Sequence, residues 1–325
     1  MTSVNGDTPG HLDFAIYNSS ATETIVLIHG AAASGLDWDM VQPYLNDYHL
    51  LIPSLFTPQS LHLVRNTKAP NSGPGQRPNS PQWQSRYVYL LANLIRDHAI
   101  KGRAHIVGLS LGGSFAIALA ATYPEVTISL FISGLPKSSS GARSLGLATC
   151  FMWMIQRSIE RLSPTTVTRF LDGQVKIHGG CWDGNGGKVT YETMNILVDT
   201  VAGGHQITSI NLDALSKDAA FDVVDAGESR LVVRVVAASR RSKWIPIADS
   251  PEWALEATNR FLGTGTTEVA SRSHKQRTAD CIDAKVYEAK GMFHAWNRQN
   301  PELFARCILA TVHGQDLPAN EMLQL

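Results

Sequence analysis

Ser110 and His294, together with a short list of carboxylates, are the residues of this 325-residue chain whose types and spacing point to chemistry. Ser110 stands at the centre of Gly108-Leu109-Ser110-Leu111-Gly112. The β-branched pair Ile106-Val107 stops at Gly108, and an Ala-rich run from Phe115 to Ala121 begins just past Gly113, so the pattern reads strand, tight turn, helix. A serine on such a turn is held in strained backbone that only small neighbours two places before and after it permit, which pushes its hydroxyl out above the sheet. The helix start beneath it offers the Leu111 N–H to a developing oxyanion. A hydroxyl is a weak nucleophile at neutral pH and needs a base, and an imidazole suits because its pKa lies near the working pH. The pentapeptide alone also fits a turn that merely closes a βα unit, so the surrounding elements decide.

Those elements are legible in outline. Ile25 to Ile28 is continuously apolar, as in a central strand covered on both faces, whereas His11 to Tyr17 alternates like a strand with one wet face. Asp37 to Leu45 is expected to be helical, and His49 to Ile52 a strand ended by Pro53. The segment 57–81, rich in Pro, Asn, Ser and Gly, is expected to hold no helix or strand and to form a long loop at the ligand-binding edge of the sheet. From Gln84 to Ile100, Tyr87, Leu90, Leu91, Leu94 and Ile95 recur at helical spacing, with Gly102 as the stop. Val126 to Ile132 and Leu231 to Ala238 read as buried strands, a helix follows from Pro251, and 263–278 reads as a surface loop. Between them, Leu145 to Leu162 is apolar almost all round, and the run to Ala226 reads as helices broken by glycines. The expected architecture is an α/β core in two parts, 1–136 and 229–325, with a mostly parallel sheet, helices on both faces and an inserted helical cap at 137–228.

With these motifs in order, the chain resembles the α/β-hydrolase superfamily over nearly its whole length. Thr24 to Ser34 resembles that family's strand and His-Gly oxyanion loop, with Trp38 where such loops often carry an aromatic. Val286 to Trp296 resembles its last strand and histidine loop, and Pro301 to Ala305 its closing helix. The resemblance implies that His294 is the base, that His29 braces the loop, and that Ala31 or Ala32 gives an N–H to the oxyanion opposite Leu111. It also implies a substrate pocket drawn from Trp38 and, in the cap, Phe151, Trp153 and Met154, although the cap residues equally suit packing on the body.

The departure lies in the acid that should orient the imidazole. At the family's usual place, a few residues before Ile245-Pro246, stands Ser242; its other acid position reads Ser133-Gly134-Leu135. Asp222, Asp225, Glu228, Asp280 and Asp283 precede strands and so belong at the wrong end of the sheet. Asp249 and the cap residue Asp183 are left. Asp249 is taken as the third member, even though Asp249-Ser250-Pro251 also reads as turn chemistry ahead of a helix with Pro at its first position.

Composition narrows the function class. Lys+Arg and Asp+Glu both total 28, so no net field favours nucleic acid. The start, Met1 to Asp7, has neither a basic nor an apolar leader segment, and no apolar run is long enough to cross a bilayer; a cytoplasmic protein with no membrane partner is expected. The four cysteines lack metal-ligand spacing, so neither metal nor cofactor is expected, and a disulfide stays open. The function expected is a serine-nucleophile hydrolase or acyltransferase acting on an ester, lactone or thioester of a mainly apolar small molecule, and the chain looks broadly like accessory hydrolases of secondary-metabolite pathways. Two alternatives stand beside it: carbon-carbon bond formation, cleavage or cyclisation by a Ser/His dyad, and a binding protein or receptor that has lost turnover. Retention of both Ser110 and His294 argues for an enzyme. Oligomeric state is left open by the sequence.

Overall fold

The computed structural model describes residues 4–6, 11–30, 33–55, 57–66, 80–135, 165–166, 230–240, 249–261 and 282–325. Its strands are β1 (Val4–Gly6), β2 (Asp13–Tyr17), β3 (Thr24–Ile28), β4 (His49–Ser54), β5 (Ala104–Leu109), β6 (Thr127–Ser133), β7 (Leu231–Ala238), β8 (Ile282–Ala289) and β9 (Met322–Gln324). They form one sheet in the order β1-β2-β4-β3-β5-β6-β7-β8-β9. From β4 to β8 every neighbouring pair is parallel, while β1 and β2 at one edge and β9 at the other pair antiparallel. The architecture is therefore an α/β fold with a mostly parallel central sheet.

Helices cover both faces. α1 (Pro58–Asn66), α2 (Ser80–His98), α3 (Leu111–Thr122) and α4 (Pro251–Phe261) lie on one side, where Val64, Tyr87, Phe115 and Trp253 meet the strand residues Val26, Ile28 and Ile106. Two 3-10 turns, Gly35–Trp38 and Gln42–Leu45, and α6 (Pro301–Val312) lie on the other, where Trp38, Leu45 and Phe304 meet Ile25, Leu27 and Val107. The alternation of Ile25 and Leu27 with Val26 and Ile28 is the period of two that a strand imposes, and both sets are apolar because both faces are covered. α3 is buried from Leu111 to Ala120, which accounts for its Gly and Ala content: it fills a narrow space with apolar surroundings on every side.

The structure corrects the outline at three places. Residues 58–66 form a helix where a loop was expected. Thr57 caps it, its hydroxyl accepting the Ser60 N–H at 3.1 Å, and Val64 is buried against α2. Pro53 lies inside β4 instead of ending it: the β3 ladder stops at the Val26–Leu51 pair, so Pro53 falls where β4 has a partner only in β2. The expected helix at Asp37 to Leu45 is two separate 3-10 turns. The segments 67–79, 137–164, 167–228 and 262–281, and with them the cap expectation and Phe151, Trp153, Met154 and Asp183, lie outside the described residues.

Candidate active site

Ser110 connects β5 to α3 in a backbone conformation, φ 56° and ψ −121°, that few non-glycine residues adopt. Close backbone crossings enforce it. A Cβ on Gly108 would lie 2.5 Å from the Gly112 carbonyl oxygen, and one on Gly112 would lie 2.2 Å from the Ile28 carbonyl oxygen, so the end of β5, the start of α3 and the end of β3 meet with no room for side chains. The Ser110 N–H donates to the Ser133 carbonyl at 2.8 Å, tying the turn to the tip of β6, and the Ser110 carbonyl accepts the Gly113 N–H at 2.9 Å as the first bond of the helix. Leu111 is the first residue of α3 and is buried. Opposite the serine, a Cβ on Gly30 would stand 3.2 Å from Ser110 Cβ and 3.8 Å from its Oγ, so the loop after β3 approaches the hydroxyl closely because residue 30 is glycine.

His29 holds that loop in place. It is fully buried, its Nε2 accepts the Leu55 N–H at 2.9 Å, and Nδ1 therefore carries the proton and donates to the Gly30 carbonyl at 2.8 Å. Burial pushes its pKa down to about 4, against the smaller raising effect of the bond to Gly30, so the ring stays neutral. Ala31 and Ala32 lie outside the described residues.

His294 sits in the loop between β8 and α5 (Trp296–Gln299), and its Nδ1 is 2.5 Å from Asp249 Oδ1. Asp249 is almost entirely buried, and its second oxygen accepts the Ala238 N–H at the end of β7 at 2.7 Å. Each carboxylate oxygen thus has a donor, one on the imidazole and one on the sheet. Asp249 is not a cap of α4; that part belongs to Ser250, whose hydroxyl accepts the Trp253 N–H at 3.1 Å. Asp283, by contrast, lies within β8 and binds the fully buried Arg234, whose guanidinium also donates to the Gln315 carbonyl and joins β7, β8 and the C-terminal segment.

The two halves of the site meet at the tip of β6. Ser133 holds the Ser110 N–H with its carbonyl and accepts the Trp296 indole N–H with its hydroxyl at 2.7 Å. Gly134, at φ +67°, follows; a Cβ there would lie 2.7 Å from His294 Cε1, 2.8 Å from its Nδ1 and 3.4 Å from Asp249 Oδ1. The space beside Gly134 is filled by the imidazole and by a carboxylate arriving from another loop, which leaves room for no side chain larger than glycine's.

Trp38 is placed differently from its expected role. It is fully buried on the far face of the sheet, where its ring centroid lies 5.8 Å from that of Phe304, so among the described residues it packs into the core. Its neighbour Asp37 was not singled out by the sequence. Asp37 is buried, accepts from Asn297 Nδ2 at its carbonyl (3.0 Å) and its Oδ2 (3.1 Å), and has its pKa raised by burial, partly offset by Arg298 and by Asn297. Among the described residues, no group of three or more His, Cys, Asp or Glu side chains is placed to hold a metal ion, and no helix is long and apolar enough to cross a membrane.

Comparison with known proteins agrees with this fold. A family model described as Alpha/beta hydrolase family matches residues 25–306. An AB hydrolase superfamily protein of Gibberella zeae is 26% identical over 337 residues, covering 97% of this chain and 94% of the relative. Lipase 1 of Psychrobacter immobilis is 27% identical over 151 residues, covering 44% of this chain and 42% of that protein. Among solved structures, a serine hydrolase from the polyaromatic hydrocarbon-degrading bacterium Cycloclasticus zankles superposes with a TM-score of 0.55 over 96% of this chain and 98% of its own, at 15% identity.

Proposed function

The chain belongs to the alpha/beta hydrolase family, and from that premise we propose that it is a serine hydrolase cleaving an ester, lactone or thioester of a mainly apolar small molecule through an acyl-enzyme on Ser110. The observation that carries the reading is the Asp249–His294 pair, packed against the same strand tip that holds the Ser110 backbone. Ser110 Oγ attacks the carbonyl carbon while His294 takes its proton; Asp249 keeps the acceptor nitrogen of the imidazole turned away from itself and supports the imidazolium that forms. The carbonyl oxygen becomes an oxyanion held by the Leu111 N–H and by an N–H of Ala31 or Ala32. The tetrahedral intermediate collapses and the leaving oxygen or sulfur takes the proton from His294; water deprotonated by the same imidazole then attacks the acyl carbon, and the bond to Ser110 Oγ breaks as that oxygen takes the proton back from His294, releasing the acid.

Phe151, Trp153 and Met154, in a cap spanning 137–228, are proposed to hold the apolar part of the substrate, and a place in secondary metabolism is proposed with them. A carboxylate on the imidazole favours hydrolysis over a dyad running carbon-carbon chemistry, because it supports the cationic ring that an acyl transfer demands. The test is intact mass spectrometry of the wild-type protein and Ser110→Ala after incubation with a fluorophosphonate, followed by a panel of short and long acyl esters, lactones and acyl-thioesters. One adduct on the wild type, none on Ser110→Ala, and turnover of at least one panel member are expected; a wild-type protein that takes no label and hydrolyses nothing overturns the proposal.

A further inference from the structure

A polar cross-link 260 residues apart in sequence joins the two loops that the reaction needs in register. Asp37 belongs to the Gly35–Trp38 turn that leaves the His-Gly loop, and Asn297 belongs to α5, which begins two residues after His294. Asn297 is fully buried and its amide nitrogen donates to Asp37 at two atoms, the carbonyl and the carboxylate, while its own Oδ1 has no partner among the described residues. Leaving an amide oxygen unsatisfied in the interior costs free energy, so the orientation of Asn297 is set by Asp37. The same two turns also touch through apolar groups, since the rings of Trp38 and Trp296 both lie against Phe304 at 5.8 Å and 4.4 Å. A second polar contact, Arg298 to Asp39 at 2.8 Å, is more exposed at its acidic end.

We propose that Asp37 and Asn297 are positioning residues that set the distance between the chain leaving the His29-Gly30 loop, which faces Ser110, and the turn bearing His294, and so align the oxyanion side of the site with the base. The inference rests on the serine-hydrolase reading. Phe304 and the two tryptophans hold the turns in contact without fixing their register, because apolar contacts slide, whereas a bidentate amide fixes one relative position. A displacement of about 1 Å between base and oxyanion donors costs on the order of 100-fold in rate while hardly affecting binding of the remote part of a substrate.

The experiment uses the full-length protein and an ester that the wild type turns over. Asn297→Ala and Asp37→Ala are expected to lower kcat roughly 10- to 100-fold with KM changed less than about twofold. Asp37→Asn keeps an oxygen for the Asn297 amide and adds a donor for its Oδ1, and is expected to recover most of kcat. Asp39→Asn, which removes the neighbouring ion pair but leaves the cross-link, is expected to keep kcat. Melting curves accompany each variant, and Asp37→Asn serves if an alanine variant fails to fold. Wild-type kcat in Asn297→Ala, losses in KM instead of kcat, an Asp39→Asn loss as large as that of Asn297→Ala, or an Asp37→Asn as slow as Asp37→Ala each overturn the inference. A wild type without esterase activity or fluorophosphonate labelling would instead count against the function itself, so the two failures are told apart.

Discussion

Asp249 and Gly134 are the residues on which the proposed chemistry turns, and both admit sharp tests. Asp249 meets His294 at 2.5 Å and the Ala238 N–H at 2.7 Å, so Asp249→Asn can keep one of these contacts but leaves the imidazole without its anionic partner. Turnover is expected to fall by roughly four orders of magnitude, about as an acid-to-amide change does in serine proteases, whereas Ser110→Ala and His294→Ala each abolish it and their double variant is no worse than either. Ser242→Asp should bring little gain because the acid's place beside His294 is already filled. Steady-state kinetics on one ester checks all of these, and an Asp249→Asn within tenfold of wild type would return the dyad to consideration. Gly134→Ala is expected to lower kcat by about 100-fold with a stability loss of only about 1–2 kcal/mol. Its methyl would lie 2.7 Å from His294 Cε1, and a side chain that can swing on its loop moves aside more cheaply than the backbone.

At the level of elements, the elbow is a meeting of three backbones, and its glycines differ in what they prevent. A Cβ at Gly112 would lie 2.2 Å from the Ile28 carbonyl oxygen, and one at Gly108 2.5 Å from that of Gly112; neither neighbour is a flexible side chain. Gly112→Ala and Gly108→Ala are therefore expected to give insoluble or unfolded protein. At Gly291, φ is +72° but nothing stands within 4 Å, and Gly291→Ala should cost only about 1 kcal/mol and leave a soluble enzyme. Solubility and melting temperature discriminate the three. That elbow was legible because its glycines flank a serine between a β-branched run and an Ala-rich one, and β7 was legible to the residue because it is Val-rich and apolar apart from Arg234. α1 was hidden: its surroundings carry so many Pro, Ser and Asn residues that the cap at Thr57 and the inward-facing Val64 did not stand out. Asp249 was reached by elimination from a short list and carries no local mark of its role, since nothing local distinguishes a carboxylate that caps a helix from one that reaches past it to a histidine 45 positions on. Asp37 and Asn297 gave no signal at all, because a contact between the two ends of a chain leaves no spacing to read.

Across the whole molecule, histidines gather at the edge of the sheet opposite Ser110. His49 opens β4 and bonds the Thr24 hydroxyl at 2.9 Å, His105 near the start of β5 bonds Ser129 at 2.8 Å, and His98 at the end of α2 stacks near Phe14 and His11. Burial, in each case the largest cause, lowers the pKa of His49, His98 and His105, as it lowers that of His29 to about 4. These rings protonate at lower pH in the fold than once unfolded, where they do so near pH 6.5, so the unfolded chain binds more protons as the pH drops. Stability is accordingly full above about pH 6.5 and declines as pH falls toward 4, where His29 finally protonates in the folded state. His29 alone accounts for on the order of 3 kcal/mol of that decline, from a shift of 6.5 to about 4. Asp37 acts in the opposite sense: burial raises its pKa, so the folded state takes up its proton first and offsets part of the loss. Urea unfolding between pH 7.5 and 5, a window in which ordinary carboxylates stay ionised, is expected to show stability falling with acidity. His29→Gln, which keeps a polar group but not a titrating one, should reduce the slope by about one proton, or about 1.4 kcal/mol per pH unit. A stability that is flat over this range, or a slope untouched in His29→Gln, would show that the buried histidines do not set the acid limit of the fold.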